Sequence, residues 1–297
     1  MQSPFPLTPR DLERAFACRR EEFVDGRLTL SDRSGRNDVL LIERPSGFGT
    51  ILKRLRDSKD VTVSALEHRA GRPLPWNANP SNEALSSLGA QVRHLHMFGR
   101  STLPAAAFPA PFSHGWPATD DLPNMSWAQS ELIGIVQTNP ELSHGLSACL
   151  EGWQPECKIH GDLRDQNVLL TSDIAVSIID WETSGLGDPA WDLGCLLGER
   201  AGAWVDAQVG PISPYRVDVQ SAGATLWQGY VGGGRGVESG LAARAARFAG
   251  LRMIQRSLET TQYRVAVGRT AWSYLQVAAN IFADPRRAVG DLFGISH

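Results

Sequence analysis

Residues 159–170 read Ile159-His160-Gly161-Asp162-Leu163-Arg164-Asp165-Gln166-Asn167-Val168-Leu169-Leu170, and residues 178–182 read Ile178-Ile179-Asp180-Trp181-Glu182. Two short apolar runs, 167–170 and 175–179, flank the turn signal Thr171-Ser172-Asp173. They predict a hairpin that brings Asn167 and Asp180 to the same end. Two hard oxygen donors at one point suit Mg2+, which takes few protein ligands and completes its shell with phosphate oxygens. Asp162 follows a glycine in a polar loop and stands apart from that pair, placed to orient a hydroxyl and accept its proton. A metal clamp on the phosphates and a carboxylate on the nucleophile form the set that phosphoryl transfer needs.

Working outward toward the N-terminus, residues 23–30, 38–43 and 50–55 read as strands, joined by the loop 31–37 and the tight turn 45–49. A helix over 8–18 precedes them, with Thr8 as cap and Pro9 in the first turn. A short helix over 63–69 follows them. Residues 72–82 carry three prolines and three asparagines and read as a linker. Residues 83–97 have Leu85, Leu88, Val92 and Leu95 at helical spacing. Residues 99–123 are Pro-rich and irregular. Ser126-Trp127-Ala128-Gln129 has the capping-box pattern and opens a helix. Beyond the catalytic region, helices are expected over 218–231, 238–260 and 265–283, with 232–236 as a hinge. There is no internal repeat. The order is a small antiparallel sheet, a linker and a mostly helical half, an α+β chain with two unequal lobes. The domain plan is 1–70 as the nucleotide-binding N-lobe, 71–82 as linker and 83–297 as the C-lobe.

Bulk properties exclude several classes. A net charge of -3 over 297 residues argues against a nucleic-acid or anionic-membrane partner. No apolar run approaches the ~18 residues of a membrane span, and the N-terminus has no signal-peptide pattern. Four cysteines lack metal-type spacing and read as reduced thiols. The expectation is a cytoplasmic protein.

His160-Gly161-Asp162-Leu163-Arg164 with Asn167, followed by Ile179-Asp180-Trp181-Glu182, resembles the aminoglycoside phosphotransferase and choline kinase superfamily, itself similar to protein kinases. The resemblance implies a bilobal protein-kinase-like fold that uses ATP and Mg2+. It makes Asp162 the catalytic base, with Arg164 beside it in the catalytic motif, and assigns Mg2+ to Asn167 and Asp180. Gly187-Asp188-Pro189-Ala190-Trp191-Asp192-Leu193 resembles the family's helix start, with Asp188 as cap and Asp192 as a buttress of the catalytic loop. His94 and His96, near the end of the 83–97 helix, are read as packing residues.

In the N-lobe the resemblance places a phosphate-binding lysine on the third strand. Lys53 lies there, one of only three lysines in the chain. Glu67, on the helix expected next, would orient it. Ser34 and Gly35 would lie over the nucleotide phosphates. The family normally has two further strands and a hinge before the helix at 83–97. Either the adenine hinge is abbreviated around 73–76, or Glu67 is misassigned.

Spaced aromatic and apolar residues in the C-terminal half resemble phosphotransferases of class V lanthipeptide and thioamide-peptide biosynthesis. That resemblance implies a precursor-peptide Ser or Thr as acceptor and a lyase partner that eliminates the phosphate. A small-molecule hydroxyl and a pseudokinase binding module are the alternatives. Seven arginines between 235 and 269 face only Glu238 and Glu259 in that stretch. This expectation of a positive surface disfavours a polycationic aminoglycoside. Arg252 and Arg256, one turn apart, would grip substrate carboxylates.

Overall fold

The computed structural model describes residues 29–32, 38–43, 49–54, 63–68, 72–74, 79–98, 105–106, 108–109, 122–209, 216–232 and 240–296. The chain forms two compact units, Met1–Arg72 and Pro73–His297. The expected helix over 8–18 and the loop residues Ser34 and Gly35 lie outside the described residues.

In the first unit, β1 (Thr29–Asp32), β2 (Asp38–Glu43), β3 (Gly49–Arg54) and β4 (Val63–His68) form one antiparallel sheet in chain order. Lys53 stands between Val39 of β2 and Ser64 of β4. The fourth strand corrects the short helix expected over 63–69. A six-residue segment cannot offset helix nucleation alone, whereas the open edge of β3 pairs every one of its positions. Glu67 is therefore on a strand, opposite Thr50. That register is an odd number of rungs from the Lys53–Ser64 pair, so the two positions belong to opposite faces of the ladder.

The boundary between the units falls within the two-residue strand β5 (Arg72–Pro73). The second unit opens with α1 (Asn82–Phe98), whose Leu85, Leu88 and Val92 are buried. Helices α2 (Trp127–Thr138) and α3 (Pro140–Glu151) follow. Ser126 and Gln129 close the expected capping box on α2. Asn139 ends α2 and caps α3 through Leu142 N–H at 2.9 Å, with Pro140 in the first turn. That helix was hidden in the sequence because its start is the residue after another helix's end.

Four short strands frame the segment 159–182: β6 (Cys157–Ile159), β7 (Val168–Leu170), β8 (Val176–Ile178) and β9 (Gly185–Gly187). β7 and β8 form the expected hairpin, and β6 pairs with β9. The remaining helices are α4 (Pro189–Val209), α5 (Val219–Val231), α6 (Leu241–Thr261), α7 (Arg269–Ala283) and α8 (Pro285–Asp291).

The core sits around α4, whose residues are buried on nearly every side. Its Gly194, Gly198 and Gly202 recur every four residues and make one bare stripe. Phe248, Arg252 and Arg256 of α6, at the same spacing, cover it. A Cβ at Gly198 would lie 2.8 Å from Arg252 Cβ, so the helices approach at a distance only glycine permits. None of the described helices is long and apolar enough to cross a membrane.

Candidate active site

Gly161 has φ +86, and a Cβ there would lie 2.6 Å from Thr183 O. Glycine thus turns the chain sharply out of β6 before Asp162. The loop is then held from below. Asp192, fully buried in the first turn of α4, accepts from His160 N–H at 2.8 Å and Gly161 N–H at 3.0 Å. Its Oδ2 also faces His96 Nε2 at 3.2 Å, and His96 Nδ1 faces the Tyr230 hydroxyl at 3.0 Å. Burial pushes the Asp192 carboxyl up, but the His96 bond and its other partners more than offset this and hold it below the ordinary value. The buttress expected of Asp192 has these bonds as its physical content. The partnership of His96 with it was not legible, since a histidine on an apolar helix face looks like packing. Trp191 Nε1–H donates to Gly161 O at 2.8 Å and Thr183 Oγ1–H to His160 O at 2.9 Å.

His160 is buried and joins two chain segments. Its Nε2 lies 2.8 Å from Ile179 O, and its Nδ1 accepts from Asp162 N–H at 3.3 Å. That network assigns the proton to Nε2. Its ring packs on Trp181, with centroids 4.8 Å apart.

Asp162 does not stand apart from Asn167 as expected, because the short turn between them folds the amide back onto it. Asn167 Nδ2–H donates to Asp162 O at 2.7 Å and to Asp162 Oδ2 at 3.1 Å. Using its nitrogen on Asp162, the Asn167 amide turns its oxygen elsewhere. Asn167 O accepts from Ile179 N–H at 2.9 Å, tying the loop to the residue before Asp180. Asp180 has φ 66 and ψ 59, and it is the single non-glycine with positive φ among the described residues. Left-handed backbone at a non-glycine stores strain and concentrates at functional sites. Burial pushes the Asp162 carboxyl above its ordinary value, against the pull of Arg164, Arg252, His160 and Asn167. Its side chain remains 36% exposed, with Arg164 Nε 3.1 Å from Oδ2.

Arg252 and Arg256 correct the expectation of a solvent-facing substrate grip. The face of α6 that carries them is the one packed on the glycines of α4, so both guanidinium groups point into the molecule. Arg252 Nε lies 2.7 Å from Glu199 Oε1, and its Nη1 and Nη2 lie 2.7 and 3.1 Å from the two oxygens of Glu259. Arg256 donates to Glu199 Oε2 at 2.6 Å and Asp206 Oδ2 at 2.9 Å. Glu199 and Asp206 come from α4, and a count of charges along α6 alone omits them. For these two arginines the positive charge inferred from that count is compensated internally.

Asn167 and Asp180 supply an amide and a carboxylate, a hard donor set that fits Mg2+. Among the described residues no three His, Cys, Asp or Glu side chains gather into a cage, so phosphate oxygens would have to complete such a shell. Cys149, Cys157 and Cys195 are buried free thiols, and burial pushes Cys157 up to about 12.

The fold and the site define a kinase-like phosphotransferase. The phosphotransferase enzyme family (APH) model matches residues 61–227, more than half of the chain, and the chain belongs to that family. Among solved structures it is similar to an ethanolamine kinase from Plasmodium vivax, at 13% identity over 91% of this chain and 86% of that one, with a TM-score of 0.58. It is similar to a microcompartment-associated aminopropanol kinase at 17% identity, over 95% and 96% of the two chains, with a TM-score of 0.55. A choline kinase from Cryptosporidium parvum Iowa II is similar at 12% identity, over 92% of each chain, with a TM-score of 0.53. At these identities the likeness shows the bilobal α+β fold. No curated protein matches the chain in sequence.

Proposed function

We propose that this phosphotransferase moves the γ-phosphate of ATP to a hydroxyl, with Asp162 as the base that orients the acceptor and takes its proton. The observation that supports this reading most is Asp162 itself. It is partly exposed, accepts from Asn167, and has the Arg164 guanidinium at ion-pair distance, on a loop that Asp192 anchors from below. Asn167 and Asp180 would hold Mg2+, which neutralises phosphate charge when bound. Lys53 on β3 would clamp the nucleotide phosphates. An ATP-dependent role of this kind belongs in the cytoplasm. A chain that retains Asp162, Asn167 and Asp180, with left-handed backbone at Asp180, favours turnover over a pseudokinase role.

The acceptor we favour is a small-molecule hydroxyl. The peptide Ser or Thr reading, with its lyase partner, rests on the resemblance of spaced residues in the C-terminal half; the arginine pair on α6 that would have gripped an acidic peptide is engaged with Glu199, Glu259 and Asp206. The fold neighbours named above are kinases of ethanolamine, aminopropanol and choline. Mass spectrometry with ATP and Mg2+ against amino alcohols, sugars, aminoglycosides and Ser/Thr peptides identifies the product. Asp162→Asn should keep ATP affinity and lower transfer by roughly 10²–10⁴-fold. Near-normal transfer by that variant, or a peptide as the one phosphorylated acceptor, overturns the corresponding half of the reading.

A further inference from the structure

Between the buried core and Asp162 runs a chain of alternating charges that the reaction as described does not use. Glu199 on α4 is 1% exposed and binds both Arg252 and Arg256. Arg252, 4% exposed, meets Glu259 through two nitrogens. Glu259, 47% exposed, lies with Oε1 3.7 Å from Arg164 Nη1. Arg164 in turn rests on Asp162 at 3.1 Å. Each group is flanked by opposite charge, and exposure rises from Glu199 and Arg252 in the core to Glu259, Arg164 and Asp162 outside it.

Arg164 is a long side chain, one-third exposed, and its contact with Asp162 would otherwise cost the ordering of a flexible stem. Glu259 supplies the second hold on that guanidinium. Arg252 fixes Glu259 in bidentate fashion, and Glu199 fixes Arg252. The glycines at 198 and 202 let both arginines reach Glu199 across α4.

We infer that Glu259 is a positioning residue for the phosphotransfer step: it holds Arg164 on Asp162, and the Glu199–Arg252 pair is its anchor. The assignment rests on the proposed role of Asp162 and gives the α6 arginines a purpose other than substrate contact. It predicts an effect on turnover rather than on nucleotide binding, because the relay ends on the carboxylate and not on the phosphates.

The test compares Glu259→Gln, Arg164→Gln, their double variant and Glu259→Asp. Crystal structures of the wild type and of Glu259→Gln should show Arg164 leaving Asp162 in the variant, a result that needs no acceptor. Mg2+-dependent ATP turnover, with water as the acceptor probe, should fall about tenfold in Glu259→Gln at unchanged nucleotide KM. The double variant should lose no more than Arg164→Gln alone, and Glu259→Asp should recover part of the loss. Arg164 still within about 3.5 Å of Asp162 in Glu259→Gln overturns the assignment. So do losses that multiply in the double variant. Asp162→Asn run in parallel separates the two ideas. If it keeps full turnover, the base reading fails; if it loses turnover while Glu259→Gln does not, the positioning role alone fails.

Discussion

Asp180 and Asp192 show how single residues carry this site. Asp180 occupies the left-handed region, which disfavours any residue with a Cβ. Asp180→Gly and Asp180→Ala both delete the carboxylate, so comparing them isolates the backbone. The glycine variant should be more stable by about 1 kcal/mol in urea denaturation, while both lack phosphotransfer. Equal stability would mean that the strain is absent. Asp192 makes a different prediction. Its folded-state pKa is depressed, so the unfolded chain takes up protons first as pH falls. Its contribution to stability is complete above the unfolded value, about 3.9, and is lost as pH drops through the folded value. Wild-type urea midpoints should therefore fall more steeply below pH ~4 than those of Asp192→Asn. The variant should start lower, by about 1–3 kcal/mol, because one of the His160 and Gly161 N–H groups loses its acceptor. Parallel acid profiles would show that Asp192 is not a depressed carboxylate.

At the scale of elements, the contact of α4 with α6 decides more than any helix does alone. Gly198 meets Arg252 at its Cβ and Cγ, which cannot swing aside as a side-chain tip can. Gly198→Ala should cost about 1–3 kcal/mol as overpacking, measured by thermal or urea unfolding. It should also lower phosphotransfer, since displaced Arg252 no longer fixes Glu259. An alanine variant as stable as the wild type would show that the helices can part at no cost. Helix ends here are set by single residues, of which the sequence reading names Ser126 and the hinge at Gly232 but not the Asp284 cap of α8. Ser126, Asp218 and Asp284 each accept from the backbone N–H three residues on, and Gly232 ends α5 in the left-handed conformation. By contrast, β4 was not readable, because its helix-tolerant residues become a strand only beside the free edge of β3.

At the scale of the whole molecule, the two units have separate tasks in the proposed reading: Lys53 is on the sheet of the first, and the loop and metal residues are in the second. Nucleotide binding should report on this division. Any ligand of the folded state stabilises it by mass action, about 2.7 kcal/mol at a hundredfold excess over Kd. ATP with Mg2+ should raise Tm of the wild type, EDTA should abolish the rise, and Asp180→Ala should show none. A full ATP shift in the presence of EDTA would remove the metal from the account.

The sequence by itself determined the β7–β8 hairpin, the acid–amide–acid order of Asp162, Asn167 and Asp180, and the α+β division. These are written in contiguous segments, where spacing and turn chemistry act locally. Only the tertiary structure decided which way α6 faces. Arg244, Arg247, Arg252 and Arg256 punctuate an alanine-rich helix whose polar and apolar faces are not cleanly separated. A linear reading sees exposed cations there. The glycine stripe of α4 admits one face, and Glu199, buried beneath it, makes that burial tolerable by supplying the opposite charge. Burying a guanidinium depends on a partner more than fifty residues away, and no local pattern encodes that distance.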